Sequence, residues 1–388
     1  MLRAHPRAGY YRTIEGPGYQ VFQPVSMPPV PPVDLAAIAP ELAAASLALG
    51  RLDGLACLVP DVDRFVAMYV RREAVLSAQI EGTQASLSDL LTLDAEPSGS
   101  DPRAAADIGA VVNYVRALNI GLEVMAPSGP TAELLRKLHV ELMQDTRGEA
   151  AWPGAYRTTQ NYISRPGARL EIERAIFVPP SPDQVPALMQ DLERYILAAD
   201  DTPALVRCAV AHVQFETIHP FLDGNGRLGR LLISLMLHHR RLLTRPLLYL
   251  SVYFKRHQRD YYECLMRVRE EGDYEGWLRF FLRGVQEIAD DAASTIRGIV
   301  ALRDEHLSLI RRSLQARSRA PELLELLFRH PYVTARMLEH RLDVAPATAN
   351  ALLADFERIG ILKEVTGRKR DRQYRYSAYL DLFDADAR

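Results

Sequence analysis

The sequence predicts a mainly α-helical protein with several domains. Apolar residues recur at helical spacing through most of the chain, and strand-like alternation is confined to short segments near 170–178 and 363–377. The chain has 388 residues, 48% hydrophobic and 25% charged, which is enough for two or three packed domains. We expect a helical core with a small β-hairpin, a helical N-terminal region and a C-terminal winged helix.

Charge and cysteine content narrow the class of protein. Lys and Arg number 47 against 49 Asp and Glu, so no global positive field attracts nucleic acid or a membrane, although a local patch still could. The three cysteines form no C-x-x-C pair that would indicate a metal or redox site. Residues 1–12 lack the apolar core of a secretion signal, and no segment reaches about 18 uncharged apolar residues. We therefore expect a cytoplasmic protein without a membrane partner.

Proline content separates the N-terminus from the helices. Six prolines lie between residues 16 and 33, and each lacks an N–H group and has a fixed φ, so this segment should be an extended arm on a folded body. Helices are predicted at 35–49, 61–79, 101–118, 131–144, 183–198, 203–217, 227–243, 257–269 and from 274 past 297, with a β-hairpin at 170–178. The domains predicted are an extended arm at 1–33, a helical region at 34–120, a core at 121–298, a linker helix at 299–319 and a winged-helix-like domain at 320–388.

The last domain combines three short helices with a basic ribbon. The helices are predicted at 321–329, 334–341 and 345–359, and two strands follow around a turn at Gly367, which is the winged-helix pattern. Such domains bind DNA or dock to proteins, and the fold alone does not decide between them. Five basic residues could contact phosphates: Arg368, Lys369, Arg370, Arg372 and Arg375.

The densest chemical pattern is HPFLDGNGRLGR at 219–230, between two helical segments. Glycines at 224, 226 and 229 allow the backbone to approach a ligand closely, and a loop that begins a helix directs N–H groups at an anion. Arg227 and Arg230 lie three residues apart, so both guanidinium groups can reach one polyphosphate. The pattern predicts a phosphate-binding loop.

Two further residues of this segment indicate chemistry rather than binding alone. Asp223 offers a hard oxygen ligand suited to Mg²⁺ that bridges phosphates. His219 has a side chain whose ordinary pKa is near neutral, so it could take a proton from a hydroxyl. Each residue alone fits a turn or a helix end, and their combination within twelve residues favours a catalytic site.

This segment resembles the Fic (Fido) signature HPFx[D/E]GNGRxxR at every defined position, and the resemblance extends over about residues 34–290. It implies an enzyme that transfers AMP from ATP to a Ser, Thr or Tyr hydroxyl of a protein and releases pyrophosphate. It also implies His219 as the base, Asp223 as the Mg²⁺ ligand and Arg230 as the γ-phosphate ligand. The other nucleotide-binding residues that it implies are Gly224, Asn225 and Gly226 as the anion hole, Arg227, Leu228, Gly229, and Tyr261 with Tyr262 beside the adenine. Periodicity alone is equally consistent with core packing for the two tyrosines.

Residues 152–163, WPGAYRTTQNYI, resemble the family segment that precedes the flap. The flap itself would span 171–180 and dock the target backbone by strand addition. It is longer and more charged than the family pattern leads us to expect. The resemblance therefore does not identify the target protein.

A second pattern, SAQIEG at 77–82, lies near the end of a predicted helix. Ser77 and Glu81 are one helical turn apart and share a face. The pattern is weak alone, because a solvated Glu is the usual occupant of a helix end. In a chain that resembles Fic proteins, Ser77, Glu81 and Gly82 match the inhibitory (S/T)xxxE(G/N) helix. The resemblance implies an ion pair between Glu81 and Arg230 that keeps ATP out of its reactive pose.

The leading hypothesis is an autoinhibited protein adenylyltransferase, with self-modification expected and a homodimer left open. Two alternatives use the same pocket: removal of AMP with Glu81 positioning water, or transfer of another phosphate-containing group. A third is a nucleotide-sensing regulator that binds DNA through 345–376. His219 argues against a purely sensory core, because sensing phosphate needs no base.

Overall fold

The computed structural model describes residues 4–14, 18–58, 62–95, 102–125, 129–144, 152–164, 172, 175–314, 319–368 and 370–384. These residues are mainly helical, which confirms the predicted fold class. Within them no helix is long and apolar enough to cross a membrane.

The N-terminal arm is a β-hairpin rather than a simple extended segment. Strand β1 (Gly9–Thr13) pairs antiparallel with β2 (Gln20–Pro24). The ring of Phe22 is fully buried and packs on the ring of Phe177 in the core, with ring centres 5.6 Å apart. Its backbone N–H also donates to the carbonyl of Val178, 2.9 Å away. The hairpin forms because its aromatic residues have a buried surface to pack on, which local proline content does not reveal.

The N-terminal helical region has one helix more than the sequence predicted. Its four helices are α1 (Ala39–Leu58), α2 (Val62–Ile80), α3 (Leu87–Ala95) and α4 (Pro102–Val124). The unpredicted helix is α3, which follows directly after the 77–82 segment. Its apolar residues were too few for a clear period. The first helix also begins and ends later than the 35–49 expected.

The core is built around two nearly completely buried helices that are consecutive in the chain. The core helices are α5 (Ala132–Met143), α6 (Val185–Leu197), α7 (Ala204–Ile218), α8 (Asn225–His239), α9 (Ser251–Arg256), α10 (Gln258–Glu271) and α11 (Tyr274–Ser313). The buried helices are α7 and α8, which pack against each other, and α8 also packs against α2, α4 and α5. The predicted β-hairpin at 170–178 lies largely outside the described residues, within which Ile163 and Phe177 form an antiparallel bridge.

Helix α11 changes the expected domain boundary. It runs for 40 residues without interruption, so the boundary at 298/299 falls inside a helix and no separate linker helix begins there. The helix is continuous because apolar residues face α1 and α7 along its length and neither Gly nor Pro breaks it after Gly298.

The C-terminal region has the predicted three helices and strands, together with an unpredicted strand and helix. Its elements are α12 (Ala320–Leu327), β3 (Tyr332–Thr334), α13 (Ala335–Leu342), α14 (Pro346–Arg358), β4 (Lys363–Glu364), β5 (Gln373–Arg375) and α15 (Ser377–Asp384). The unpredicted elements are β3 and α15, and strands β3, β5 and β4 form an antiparallel sheet in that order. Phe383 of α15 contacts the ring of Tyr69 on α2 at 5.4 Å, and the Ser88 and Tyr332 hydroxyls are 2.9 Å apart. The winged helix therefore packs on the N-terminal region.

Candidate active site

The loop between α7 and α8 is fixed by its own residues. His219 ends α7 in the left-handed conformation, with φ of 49°, and Gly224 precedes α8 with φ of 76°. The Asn225 side chain accepts from the N–H of Phe221 at 2.9 Å and donates to the carbonyl of Phe221 at 2.8 Å. Asn225 thus shapes the loop with its side chain, and what it offers an anion is its backbone N–H in the first turn of α8.

The segment at 152–163 holds this loop from outside. Arg157 is buried and donates from Nε to the carbonyl of His219 at 2.9 Å. Asn161 donates from Nδ2 to the carbonyl of Phe221, also at 2.9 Å. Two side chains from another part of the sequence therefore donate to carbonyls of the turn, and the carbonyl of Phe221 is shared with the side chain of Asn225.

His139 of α5 supports the loop from below, and the sequence analysis did not single it out. The N–H of Gly154 donates to its Nδ1 at 2.9 Å. Because a backbone N–H can only donate, Nε2 carries the ring proton and donates to the carbonyl of Asp223, 2.9 Å away. The imidazole also stacks on Phe221 with ring centres 3.9 Å apart. Its sequence signal was a His on the apolar face of an amphipathic helix, which is common to many core histidines.

The structure brings the two sequence patterns together. Glu81 accepts from Nη2 of Arg230 at 2.9 Å and from Nε of Arg227 at 2.8 Å. Arg230 also donates to the hydroxyl and the carbonyl of Ser77, at 2.8 and 2.9 Å. Burial alone would raise the pKa of the Glu81 carboxyl, but the two arginines hold it below its ordinary value. Glu81 is therefore a carboxylate in an ion pair, while the neighbouring Gly82 ends the segment with φ of 95°.

The Glu81 carboxylate lies against the first turn of α8. A β carbon built on Gly226 would be 2.6 Å from Oε1 of Glu81 and 2.9 Å from Nη1 of Arg230. The absence of a side chain at Gly226 therefore leaves the space that the carboxylate fills. A negative group at this position interacts favourably with the positive end of the helix, as a phosphate would.

Not every residue of the loop faces this space. A β carbon on Gly229 would lie 2.4 Å from Oε1 of Glu216, so Gly229 allows close packing of α7 and α8 instead of approach to a ligand. Leu228 is fully buried in the core. Residues 228 and 229 lie on faces of α8 that turn away from the loop, and their contact with a nucleotide stays a prediction. Gly224, by contrast, packs in the loop against Met143 and His139.

The tyrosine pair is divided between two environments. Tyr261 is buried, and its hydroxyl lies 2.8 Å from Nε2 of His212 while its ring stacks on Phe254. Tyr262 is 46% exposed. Tyr261 therefore packs in the core and Tyr262 presents an exposed ring, while a place beside an adenine stays a prediction for both.

His219 is held neutral. Its side chain is 20% exposed, and burial, followed by the positive charges of Arg269 and Arg157, lowers its pKa to about 3. A neutral imidazole can accept a proton at physiological pH. The buried Glu216, which the sequence analysis missed, places Oε2 3.9 Å from Nδ1 of His219. Burial raises the pKa of Glu216 to about 7.

Asp223 is exposed at the tip of the loop, where its Oδ1 accepts from the N–H of Gly224 at 2.7 Å. The described residues contain no group of three or more His, Cys, Asp or Glu side chains arranged around a metal ion. One carboxylate fits Mg²⁺, because this ion commonly takes most of its ligands from phosphates and water. Asp223 is thus suited to an ion that arrives with a nucleotide.

Three segments of the sequence match models of known protein families. Residues 39–123 match the Fic/DOC family N-terminal domain, residues 130–237 match the Fic/DOC family domain, and residues 320–375 match a helix-turn-helix DNA-binding domain. The chain therefore carries the N-terminal and the Fic domains of the Fic/DOC family and a helix-turn-helix domain near its C-terminus.

Individual relatives are more distant. A protein of Aquifex aeolicus described as a probable protein adenylyltransferase is 28% identical over 211 residues, which are 54% of this chain and 58% of that protein. The protein adenylyltransferase Fic of Drosophila grimshawi is 29% identical over 139 residues, 35% of this chain and 25% of the relative. The chain thus covers less than two thirds of these relatives.

Solved structures share the fold. A Fic family protein from Desulfovibrio desulfuricans has a TM-score of 0.56 and 23% identity, covering 89% of this chain and 97% of that one. Fic-1 from C. elegans has a TM-score of 0.51 and 19% identity, covering 69% of this chain and 74% of the other. At these identities the likeness extends to the fold alone.

Proposed function

We propose that this chain is a protein adenylyltransferase that Glu81 holds inactive. The observation that carries the proposal is the pairing of Glu81 with both Arg227 and Arg230 at the first turn of α8. An anion-binding site filled by a carboxylate of the chain itself is the arrangement expected of a nucleotide site under inhibition. The match to the Fic domain and relatives described as protein adenylyltransferases support the reaction.

In the proposed reaction, the neutral imidazole of His219 takes the proton of a Ser, Thr or Tyr hydroxyl on the target protein. The hydroxyl oxygen forms a bond to the α-phosphorus of ATP, and the bond from that phosphorus to the β-phosphate oxygen breaks. Pyrophosphate leaves with the electron pair. Backbone N–H groups of 224–226 and the Arg230 guanidinium would hold the phosphates. Asp223 would hold Mg²⁺, which neutralises phosphate charge when bound.

Inhibition follows from competition for one guanidinium. Arg230 directs Nε and Nη2 at Ser77 and Glu81, and it is buried. Those donors are the ones that a γ-phosphate would need for two-pronged binding. ATP can be held in its reactive pose once the carboxylate of Glu81 withdraws.

The test distinguishes transfer of the α-phosphate, as AMP, from transfer of the γ-phosphate. Purified wild type, Glu81→Gly and Glu81→Gly with His219→Ala are incubated with ATP labelled at the α- or γ-phosphate. We expect protein-bound label from α-labelled ATP only, strongest in Glu81→Gly and absent from the double variant. Protein-bound label from γ-labelled ATP would show that the protein transfers phosphate rather than AMP. Loss of AMP from a premodified protein, dependent on Glu81, would favour the removal reaction instead.

We also propose that the C-terminal domain binds DNA, because residues 320–375 match a DNA-binding helix-turn-helix domain. Its wing exposes Arg368, Arg370 and Arg372. Fluorescence polarisation of a labelled duplex with the full chain should give an affinity that falls steeply with salt. Replacing the three arginines by Ala should reduce the salt slope by about 0.9 for each phosphate that the protein no longer neutralises. Binding that is absent or independent of salt would favour docking to a protein.

A further inference from the structure

We propose that Glu216 is a positioning residue for His219: it fixes the imidazole with Nδ1 protonated and leaves Nε2 as the atom that accepts the target's proton. This inference rests on the proposed transfer reaction. Neither the 219–230 pattern nor the 77–82 pattern contains Glu216.

The two side chains face each other at the end of α7. Glu216 is one helical turn before His219, and its Oε2 lies 3.9 Å from Nδ1. The residue is only 7% exposed. Among the described residues, neither Nδ1 of His219 nor Oε1 of Glu216 has a hydrogen-bond partner. The unpartnered oxygen, Oε1, is directed toward Gly229, while Oε2 is the oxygen nearest to Nδ1; a buried Nδ1 without a partner is costly unless a neighbouring group or a ligand serves it. In structures without substrate, contacts between catalytic groups are often long and tighten on binding.

The surroundings fix Glu216 from two neighbouring helices. On α8, Gly229 has no side chain, and a β carbon there would come within 2.4 Å of Oε1. On α10, Arg269 donates to the Glu216 carbonyl and to the Thr217 hydroxyl, both at 3.1 Å. Arg269 therefore holds the end of α7, and Gly229 leaves the space in which the Glu216 carboxyl group lies beside the imidazole.

The chemistry requires such a neighbour. A neutral imidazole carries its proton on one nitrogen, and an acceptor beside Nδ1 favours that tautomer. When Nε2 takes the hydroxyl proton, the ring becomes a cation. Glu216, whose pKa burial raises to about 7, is mostly ionised above that pH, and its carboxylate 3.9 Å from Nδ1 then stabilises the cation by charge attraction. The P–O bond to the target forms and the bond to pyrophosphate breaks while this cation exists.

Other charges act on the same pair. Arg230, Arg269 and Glu81 influence Glu216, and Arg269 and Arg157 influence His219. The arginines oppose a positive imidazole, so a negative group next to Nδ1 is needed to offset them. Glu81 also contributes negative charge, which makes its removal in an activated variant useful for isolating Glu216.

The first test measures catalysis in the Glu81→Gly background. Glu216→Gln keeps the size of the side chain and the backbone carbonyl, which also faces the imidazole, and removes the ionisable carboxyl group. We expect it to lower kcat by about tenfold or more, with KM for ATP within about twofold and a shifted acid limb of the pH–rate profile. Glu216→Asp should recover part of the rate. Unchanged kcat and pH profile, or loss of ATP affinity in proportion to rate, would overturn the inference.

The second test does not depend on activity. Nitrogen-15 NMR of labelled histidine, with the His219 signal assigned from a His219→Gln variant, reports which ring nitrogen is protonated. We expect the Nδ1–H tautomer in the parent and a mixture in Glu216→Gln. The same tautomer in both proteins would overturn the inference. Absence of labelling in Glu81→Gly itself would count against the proposed function. The tautomer measurement would then still test the role of Glu216.

Discussion

Oε1 of Glu81 lies 2.9 Å from Nη2 of Arg230, although 149 positions separate the two residues in the sequence. The Arg230 side chain is 3% exposed and that of Glu81 is 27% exposed. A charged hydrogen bond that is largely removed from water contributes roughly 1.5–3 kcal/mol. Arg230 cannot give the same donors to a phosphate while this contact exists, so in the proposed function the contact sets the balance between an inhibited and a reactive state of the site.

Glu81→Gly should raise AMP incorporation from α-labelled ATP by at least about tenfold. The range of 1.5–3 kcal/mol corresponds to about tenfold to a hundredfold in the population of the reactive state. Arg230→Ala added to Glu81→Gly should cancel the gain, because both substitutions act on one contact. Glu133→Gln removes an exposed carboxylate paired with Lys137 and should change nothing. Equal labelling of Glu81→Gly and wild type would mean that 77–82 is an ordinary helix end.

His219→Ala should abolish transfer in the Glu81→Gly background and leave ATP affinity within about twofold, since in the proposed site the loop and Arg230 bind the phosphates while the imidazole acts on the target hydroxyl. Calorimetric titration with ATP and the labelling rate measure the two effects separately. A parallel fall of affinity and rate would contradict the role of base.

Two substitutions at His139 should distinguish the contributions of its two hydrogen bonds to ATP binding. His139→Asn can still accept from Gly154, while the longer side chain of His139→Gln can still donate to the carbonyl of Asp223. Both variants lose the stacking on Phe221 and should melt several degrees lower, since an unsatisfied buried polar group costs about 1–3 kcal/mol. We expect the Asn variant to weaken ATP binding more, because it releases the loop at Asp223. Equal ATP affinities in the two variants would argue against this support.

The Arg7–Glu275 pair should make attachment of the N-terminal hairpin dependent on pH. Arg7 donates to both carboxylate oxygens of Glu275 at 2.8 Å. Burial alone would raise the pKa of Glu275, but hydrogen bonds from Arg7 and the Asp34 backbone lower it to about 2. A carboxyl with a lowered folded-state pKa stabilises the fold above its ordinary pKa of about 4.3 and loses that contribution as pH falls toward 2.

Denaturant unfolding at a series of pH values measures this contribution. Glu275→Gln should be less stable than wild type near neutrality, and the difference should shrink between about pH 4.3 and 2. Glu133→Gln serves as the exposed control, with a small difference throughout. A constant difference for Glu275→Gln across this range would show that charge at this position does not hold the hairpin.

Phe383→Ala should destabilise the whole chain rather than the winged helix alone. The ring is 2% exposed and contacts Tyr69 on α2, and α15 also packs on α11. Replacing a buried Phe by Ala costs about 3–5 kcal/mol, so the melting temperature should fall by many degrees in a single transition. Val365→Ala, at an exposed position of the wing, is the control. Two separate transitions in calorimetry would indicate that the domains unfold independently.

The sequence by itself determined the elements whose causes are local. Gly224, which the pattern at 219–230 marked as a residue that allows close approach of the backbone, lies in the left-handed conformation just before α8. The buried α8 and the three helices of the winged domain follow from apolar periodicity. The resemblance at 219–230 and 77–82 also indicated the partner of Glu81 before any geometry was available.

The tertiary structure decided which neighbour each side chain meets. A glycine in a loop pattern indicates that space is needed beside the backbone. Only packing determines that the carboxyl group of Glu81 occupies this space at Gly226 and that of Glu216 occupies it at Gly229. Periodicity marked 261 and 262 equally, and only the fold buried one tyrosine against His212. His139 and Glu216 carry no distinctive sequence signal, because a buried polar residue acquires its role from atoms on other elements. Contacts between distant segments depend on how helices cross, which the spacing of residues within each helix does not specify.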